Sequence, residues 1–203
     1  MKKILIATHN KAKLKELMIG IKDLGEQGIK ILTLSDVRVE EDPEETGKTF
    51  QENSILKAEF YAEKTGLPTI ADDGGLIIPY LNNEPGIKSK RWIGREATDE
   101  ELIKYTLSNL RGCTGKKRIA YLQTCLCFYD PRTEQTLTEL EKIKGHIAEK
   151  SSNNPTDGYP YRALFIVEKY NKYYDQLTED EHHEVSHRLI ALKRLTKKIK
   201  DLI

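Results

Sequence analysis

The sequence predicts an α/β fold on three observations. Short apolar runs suited to buried strands alternate with longer segments whose apolar residues recur at helical spacing. Thr-x-x-Glu boxes stand where helices should begin, and glycine, proline and aspartate punctuate the junctions. A chain of 203 residues is long enough to bury a real core and fits one domain, alone or with two lobes.

Lys3 to Thr8 reads as a buried strand, and Asn10 to Leu24 as a helix with Leu14, Leu17, Met18 and Ile21 at helical spacing. Ile29 to Leu34 is a second strand. Asp42-Pro43 breaks the chain before Thr49-Phe50-Gln51-Glu52, a capping box that opens a helix running to about Lys64. Gly66-Leu67-Pro68 ends that helix, and Thr69-Ile70-Ala71 is a brief strand delivering Asp72-Asp73 at its carboxyl end. Open α/β sheets bind their ligands at such ends.

Thr98-Asp99-Glu100-Glu101 caps a helix through Leu110. Ile119 to Tyr129 and Gln135 to Ile147 read as a long hairpin turned at Asp130-Pro131, a lobe of antiparallel strands. A loop at Asn153 to Gly158 precedes a strand at Leu164 to Val167, and Thr178-Glu179-Asp180-Glu181 caps a short helix. Ser186 is placed to cap the last helix, whose buried stripe is Leu189, Leu192, Leu195, Ile199 and Leu202. Lys193, Arg194, Lys197, Lys198 and Lys200 fall mostly off the stripe and read as a solvated face.

Composition removes several classes of function. The 33 basic and 32 acidic residues leave +1, so no global field holds nucleic acid or an anionic membrane. No stretch approaches the roughly 20 apolar residues of a membrane span, and Met1-Lys2-Lys3 leads into only Ile4-Leu5-Ile6-Ala7 before polar residues begin. Cys113, Cys125 and Cys127 are an odd set without metal-ligand spacing, read as reduced thiols, with Cys125 and Cys127 on one strand face. A soluble, cytoplasmic protein is the expectation.

The chemistry concentrates between Glu44 and Gly75, where acids, a lysine and glycines surround one predicted helix. Mg²⁺ takes oxygen ligands from one or two carboxylates and leaves its other positions to water and phosphate, which makes Glu45, Asp72 and Asp73 candidate ligands. Asn53 and Lys57 are four apart on one helical face near the acid pair; a plain salt bridge is the competing reading for Lys57. Asp72 stands between direct ligation and a structural role, capping a turn or pairing with Lys57. At Thr8-His9-Asn10-Lys11-Ala12-Lys13 a strand passes into a helix whose start offers amides and a dipole to an anion, unless it is only an N-capped helix with surface lysines.

Six ordered motifs resemble the inosine triphosphate pyrophosphatases, the Ham1-like enzymes that remove noncanonical purine nucleotides. They are Ala7 to Lys13, Glu45-Thr46-Gly47, Thr49 to Ala58, Leu67 to Leu76, Pro85-Gly86 and Ser186-His187-Arg188. The resemblance implies a two-lobed mixed sheet flanked by helices, one domain over residues 1–203, with its active site in the cleft between the lobes. It implies cleavage of a nucleoside triphosphate between the α and β phosphates, with Mg²⁺, by a homodimer. Alternatives are the same fold acting on another modified or pyrimidine triphosphate, and a nucleotide-binding protein with little turnover.

The resemblance also implies roles. Thr8, Asn10 and Lys13, with His9 and Lys11 beside them, match a phosphate-binding turn, and Lys57 a lysine that reaches the phosphates. Glu45 and Asp73 match metal-linked acids, Asp73 also matches the base that activates water, and Asp72 stands next to it. Lys172, His187 and Arg188 match substrate contacts. Two departures stand out. Gly74 replaces a serine, so a backbone amide replaces a hydroxyl there. The family's aromatic-Gly-Tyr-Asp-Pro-hydrophobic-Phe run appears as Gly158-Tyr159-Pro160-Tyr161-Arg162-Ala163-Leu164-Phe165, keeping aromatics at Tyr159, Tyr161 and Phe165 while Arg162 replaces the aspartate. Arg162 either turns outward or pairs with an acid such as Asp157, or donates to a base edge, or marks a different substrate.

Overall fold

The elements follow the α/β order that the sequence sets out. A computed structural model of the chain describes residues 2–153 and 155–202; Met1 of the N-terminal run, Asn154 of the Asn153 to Gly158 loop, and Ile203 lie outside the described residues. In chain order the elements are β1 (Lys3–Ala7), α1 (Lys11–Gly20), α2 (Lys22–Glu26), β2 (Lys30–Thr33), α3 (Phe50–Thr65), β3 (Thr69–Ile78) and β4 (Glu84–Pro85). They continue with α4 (Asp99–Asn109), β5 (Ile119–Asp130), β6 (Gln135–Ile147), β7 (Phe165–Val167), β8 (Lys172–Tyr173), α5 (Glu179–Val185) and α6 (His187–Lys200). The described residues form two compact units. The first takes the segments Met1–Asp73, Thr124–Glu141 and His187–Ile203, the second Gly74–Gln123 and Lys142–Ser186.

In the first unit the strand order is β2-β1-β3-β5-β6. β1 runs parallel to both neighbours, with Ile4 opposite Ile31 and Ala7 opposite Ala71. Its apolar run is continuous because both faces are covered, as parallel strands require. Ile4 and Ile6 pack with Leu17 and Ile21, with Leu126 and Phe128 of β5, and with Leu192, Leu195 and Ile199 of α6. Leu5 and Ala7 pack on the other face with Ala58 and Tyr61 of α3, Ala71 and Cys127. The sheet of this unit thus lies between an α1/α6 layer and α3.

Several local signals act as their chemistry demands. Thr49 accepts from the Glu52 amide, and Gly66, at φ 68°, closes α3 in the left-handed conformation. Thr98 and Thr178 form complete capping boxes. The box at Thr49 is only half formed, because the Glu52 carboxylate accepts instead from the amide of Lys48 at 2.6 Å. The helix expected from Asn10 to Leu24 divides at Ile21, which leaves helical geometry at ψ 0°. Gly20, a weak helix former, ends α1 where a Cβ would lie 2.6 Å from a Leu192 methyl. The brief strand expected at Thr69 to Ala71 runs on to Ile78, so Asp72 and Asp73 stand inside β3 and not at its end. Cys113, Cys125 and Cys127 are free thiols.

Leu192, Leu195 and Ile199 form the buried stripe of α6, but Leu202 lies past the helix and is exposed. The basic face is only partly solvated. Arg194 reaches Glu139 at 2.7 Å, Glu141 at 2.6 Å and the Leu140 carbonyl at 2.8 Å, while Lys198 joins Glu139 at 2.7 Å. No helix among the described residues is long and apolar enough to cross a membrane.

In the second unit β5-β6-β7-β8 are neighbours, with β7 antiparallel to β6 and β8, and β4 pairs antiparallel with β3. Leu76, Ile78, Leu102, Leu110, Leu122, Ile147, Phe165 and Val167 share its core. Arg118 is buried beside this core, and its hydrogen-bond partners among the described residues are backbone carbonyls. Its guanidinium donates to Ile147 at 2.6 Å, Leu110 at 2.9 Å, Cys113 at 3.2 Å, and Ala148. Arg118→Met strips the donors from these buried acceptors and should cost about 3 kcal/mol or more in a urea unfolding titration. A loss under about 1 kcal/mol would show that water replaces the guanidinium.

Candidate active site

Alternation along β3 divides the acid pair. Ile70 belongs to the core shared with α1 and α6, and Ala71 to the core shared with α3. Side chains two apart on a strand share a face, so Asp72 follows Ile70 toward α1 and α6 while Asp73 follows Ala71 toward α3. The contacts agree. Asp72 meets Lys13 of α1 and Arg188 of α6, and Asp73 meets Asn53 and Lys57 of α3.

On the α3 side one helical face holds the preceding loop in an orderly series. Asn53 Oδ1 accepts from the Gly47 amide at 2.8 Å, Lys57 pairs with Glu45, and the Tyr61 hydroxyl donates to Asp42 at 2.7 Å. Helix numbers rise by four as loop numbers fall, which places the expected Glu45-Thr46-Gly47 motif along the helix. Gly47 must be glycine, because a Cβ there would meet Asn53 Oδ1 at 2.5 Å and the Asn53 backbone nitrogen at 2.9 Å. The same side chains reach Asp73: Asn53 Nδ2 donates to Oδ2 at 3.2 Å and Lys57 Nζ to Oδ1 at 3.1 Å. Burial raises the Asp73 pKa, and Glu45 adds to the rise against the opposing charges of Lys57 and Lys13. For Lys57, burial acts to lower the pKa but the two acids outweigh it, so the ammonium is held charged.

On the opposite side Asp72 is closed off from solvent, with Oδ2 taking Lys13 Nζ at 3.2 Å and Arg188 Nε at 3.0 Å. Burial alone would raise its pKa, but Lys13, Arg188 and Lys57 hold it well below the usual carboxylate range. Arg188 Nη1 also reaches Glu16 at 2.9 Å, and both partners are buried. Lys13 is therefore not the surface lysine of the plainer expectation, and Asp72 pairs with it and Arg188, not by a salt bridge to Lys57. Asn10 caps α1, its Oδ1 taking the amides of Ala12 and Lys13 at 2.9 and 3.0 Å. Those two amides are consequently not the ones open to an anion. Thr8 accepts from the Asn10 amide at 3.2 Å, while His9 and Lys11 are exposed and the His9 ring lies edge-on to Tyr61. His187 is buried at the start of α6.

The remaining candidates belong to the second unit. Tyr161 is buried and its hydroxyl donates to the Ser89 carbonyl at 2.6 Å. Arg162 neither turns outward nor swings free: its guanidinium carbon lies 3.6 Å from the Tyr159 ring centroid and 4.6 Å from that of Tyr174. Lys172 is exposed and pairs with Glu181 at 2.6 Å. Gly74 is half-buried in β3.

Among the described residues no three His, Cys, Asp or Glu side chains gather to hold a metal ion. The donor set still fits a hard cation. Glu45 and Asp73 both bind the Lys57 ammonium, so they stand close enough to share one positive charge, and Mg²⁺ uses one or two carboxylates with phosphate and water. Three residues of the site carry no role in the sequence reading. Asn53 orients Asp73, Glu16 holds Arg188, and Thr124 of β5 lies 3.3 Å from the Asp73 carbonyl. Helical spacing pointed to Asn53, one turn from Lys57, while no local signal pointed to Glu16 or Thr124.

Residues 4–198 match the model of the Ham1 family. The dITP/XTP pyrophosphatase of Thermoanaerobacter pseudethanolicus is 38% identical over 193 residues, 95% of this chain and 94% of that protein. The dITP/XTP pyrophosphatase of Bacillus subtilis is 38% identical over 197 residues, 97% of this chain and 96% of its own. A solved structure of a HAM1 protein from Coxiella burnetii superposes with a TM-score of 0.85 at 33% identity, covering 99% of this chain and 100% of that one.

Removing one member of a buried ion cluster leaves the others uncompensated. Arg188→Met should therefore lose about 3–5 kcal/mol in chemical denaturation, and adding Glu16→Leu should recover part of it. Simple additivity of the two substitutions would mean that the pair is not coupled.

Proposed function

This chain belongs to the Ham1 family, and from that premise we propose that it is a nucleoside triphosphate pyrophosphohydrolase acting on noncanonical purine nucleotides. ITP, dITP and XTP are cut between the α and β phosphates to the monophosphate and pyrophosphate. One observation carries the site assignment: Lys57 joins Glu45 and Asp73 while Asn53, one turn away, holds the same aspartate. The family relationship and that geometry support each other.

Phosphoryl chemistry depends on placement and charge neutralisation more than on covalent help. Asp73 accepts the proton of the attacking water, and its raised pKa suits a carboxylate to that task. Asn53 orients it. Lys57 turns its charge to the phosphate chain. The start of α1, with Thr8, Asn10, Lys11 and Lys13, adds a positive helix end to the phosphate side. Asp72 acts through Lys13 and Arg188, fixing their positions without meeting the reacting atoms. Glu45 and Asp73 are the residues that would hold Mg²⁺, which when bound supplies further charge neutralisation to the phosphates. His187, Tyr159, Tyr161, Arg162 and Lys172 are assigned to the nucleoside and its neighbourhood. The family relationship also carries a cytoplasmic homodimer into this reading, which light scattering of the purified protein checks.

Asp73→Asn should lower kcat on ITP by about 10²–10⁴-fold while the circular dichroism spectrum stays native. A folded variant with near wild-type turnover removes Asp73 as the base. Chelation of divalent metal should stop pyrophosphate release and Mg²⁺ should restore it. Release that is indifferent to chelator would dismiss the metal.

A further inference from the structure

A set of polar groups in the second unit takes no part in the hydrolytic chemistry. It centres on Asp175. Ser152, itself buried, donates its hydroxyl to Asp175 Oδ2 and fixes the orientation of the carboxylate. The other oxygen, Oδ1, is buried and accepts no hydrogen bond among the described residues. Arg162 acts on this carboxylate through its charge. The guanidinium carbon itself lies over the rings of Tyr159 and of Tyr174, the residue next to Asp175.

A carboxylate oxygen taken out of water with no donor is costly, and native proteins keep few such atoms without a reason. A ligand N–H is one that also accounts for the arginine. Arginine only donates, so a donor packed on Tyr174 accompanies an acceptor on the next residue, Asp175. A purine with an oxo group at C6 presents the complement, a ring N1–H beside a carbonyl oxygen. Adenine inverts both positions, offering an acceptor at N1 and a donor at the amino group.

We propose that Asp175 and Arg162 are specificity-determining residues for 6-oxopurine nucleotides, with Asp175 Oδ1 accepting the N1–H and Arg162 donating to the oxo oxygen. The substrate class rests on the hydrolytic reading above. The pair adds a rule to it: adenine nucleotides are rejected here, while hypoxanthine and guanine, alike at both atoms, are not told apart by these two residues. Asp175→Asn reverses half of the pattern. With Ser152 holding the amide oxygen, the variant turns an N–H₂ toward the ring, against N1–H and toward the N1 of adenine.

Calorimetric titration of IMP, GMP and AMP into wild type, Asp175→Asn and Arg162→Lys tests this without requiring turnover. Wild type should prefer both IMP and GMP to AMP by about 10-fold or more, and Asp175→Asn should erase at least about 10-fold of that preference. Arg162→Lys keeps the charge but loses the planar fork, so it should weaken IMP several-fold with little effect on AMP, and it serves if the first variant fails to melt like wild type. An unchanged IMP-to-AMP ratio in folded variants overturns the proposal, as does a wild type that binds the nucleotides alike or binds none. Pyrophosphate release from ITP, measured alongside, separates the two readings: no release with the IMP preference intact defeats the hydrolytic reading and leaves this one standing.

Discussion

Successive side chains of a β-strand point to opposite faces, and the acid pair of this protein is governed by that rule. Asp72 and Asp73 are adjacent in sequence but do not share an environment. One faces α1 and α6 and meets Lys13 and Arg188; the other faces α3 and meets Asn53 and Lys57. Two like charges on neighbouring residues are tolerated because each has its own cations. Their proton affinities then move in opposite directions, Asp72 downward and Asp73 upward, although burial acts on both to raise them. On the proposed reading, an anchor that stays ionised and a base that takes a proton are made from the same residue type, one position apart.

The second unit handles buried positive charge by other means. Arg118 meets backbone carbonyls, and Arg162 meets the faces of two tyrosines. Backbone oxygens and aromatic faces thus do work that carboxylates do in the first unit. For Arg162 the rings fix the place of the guanidinium between two segments of the unit.

Much of the first unit was legible because its signals are local. Asn10, Thr49 and Gly66 terminate helices through their own side chains or conformations, and Asn53 with Lys57 announced a common face by their spacing. The failures were of two kinds. Asp72-Asp73-Gly74-Gly75 has the composition of a turn, yet the chain stays extended because each aspartate finds partners on its own face and Gly75 lets Ser89 approach where a Cβ would lie 2.0 Å from its hydroxyl. The Glu16–Arg188 pair joins residues far apart in the chain, and nothing near either one signals the other. The Arg162 stack lay between these cases. Tyr159 is three residues away at the entry to a 3-10 turn, the geometry that brings i and i+3 into line, but Tyr174 comes from a separate segment.

Asn53 and Lys57 each grip both the Glu45–Gly47 loop and Asp73, one through a neutral amide and the other through charge. Under the proposed phosphate chemistry, the duplication divides the labour between holding and reacting. An ammonium that alone fixed loop to strand could not be released to an incoming phosphate without letting the loop drift. Here the amide retains the register, since its partners are uncharged at one end and a single hydrogen bond at the other. On that reading the lysine is a movable part in a frame that stays assembled when it changes allegiance.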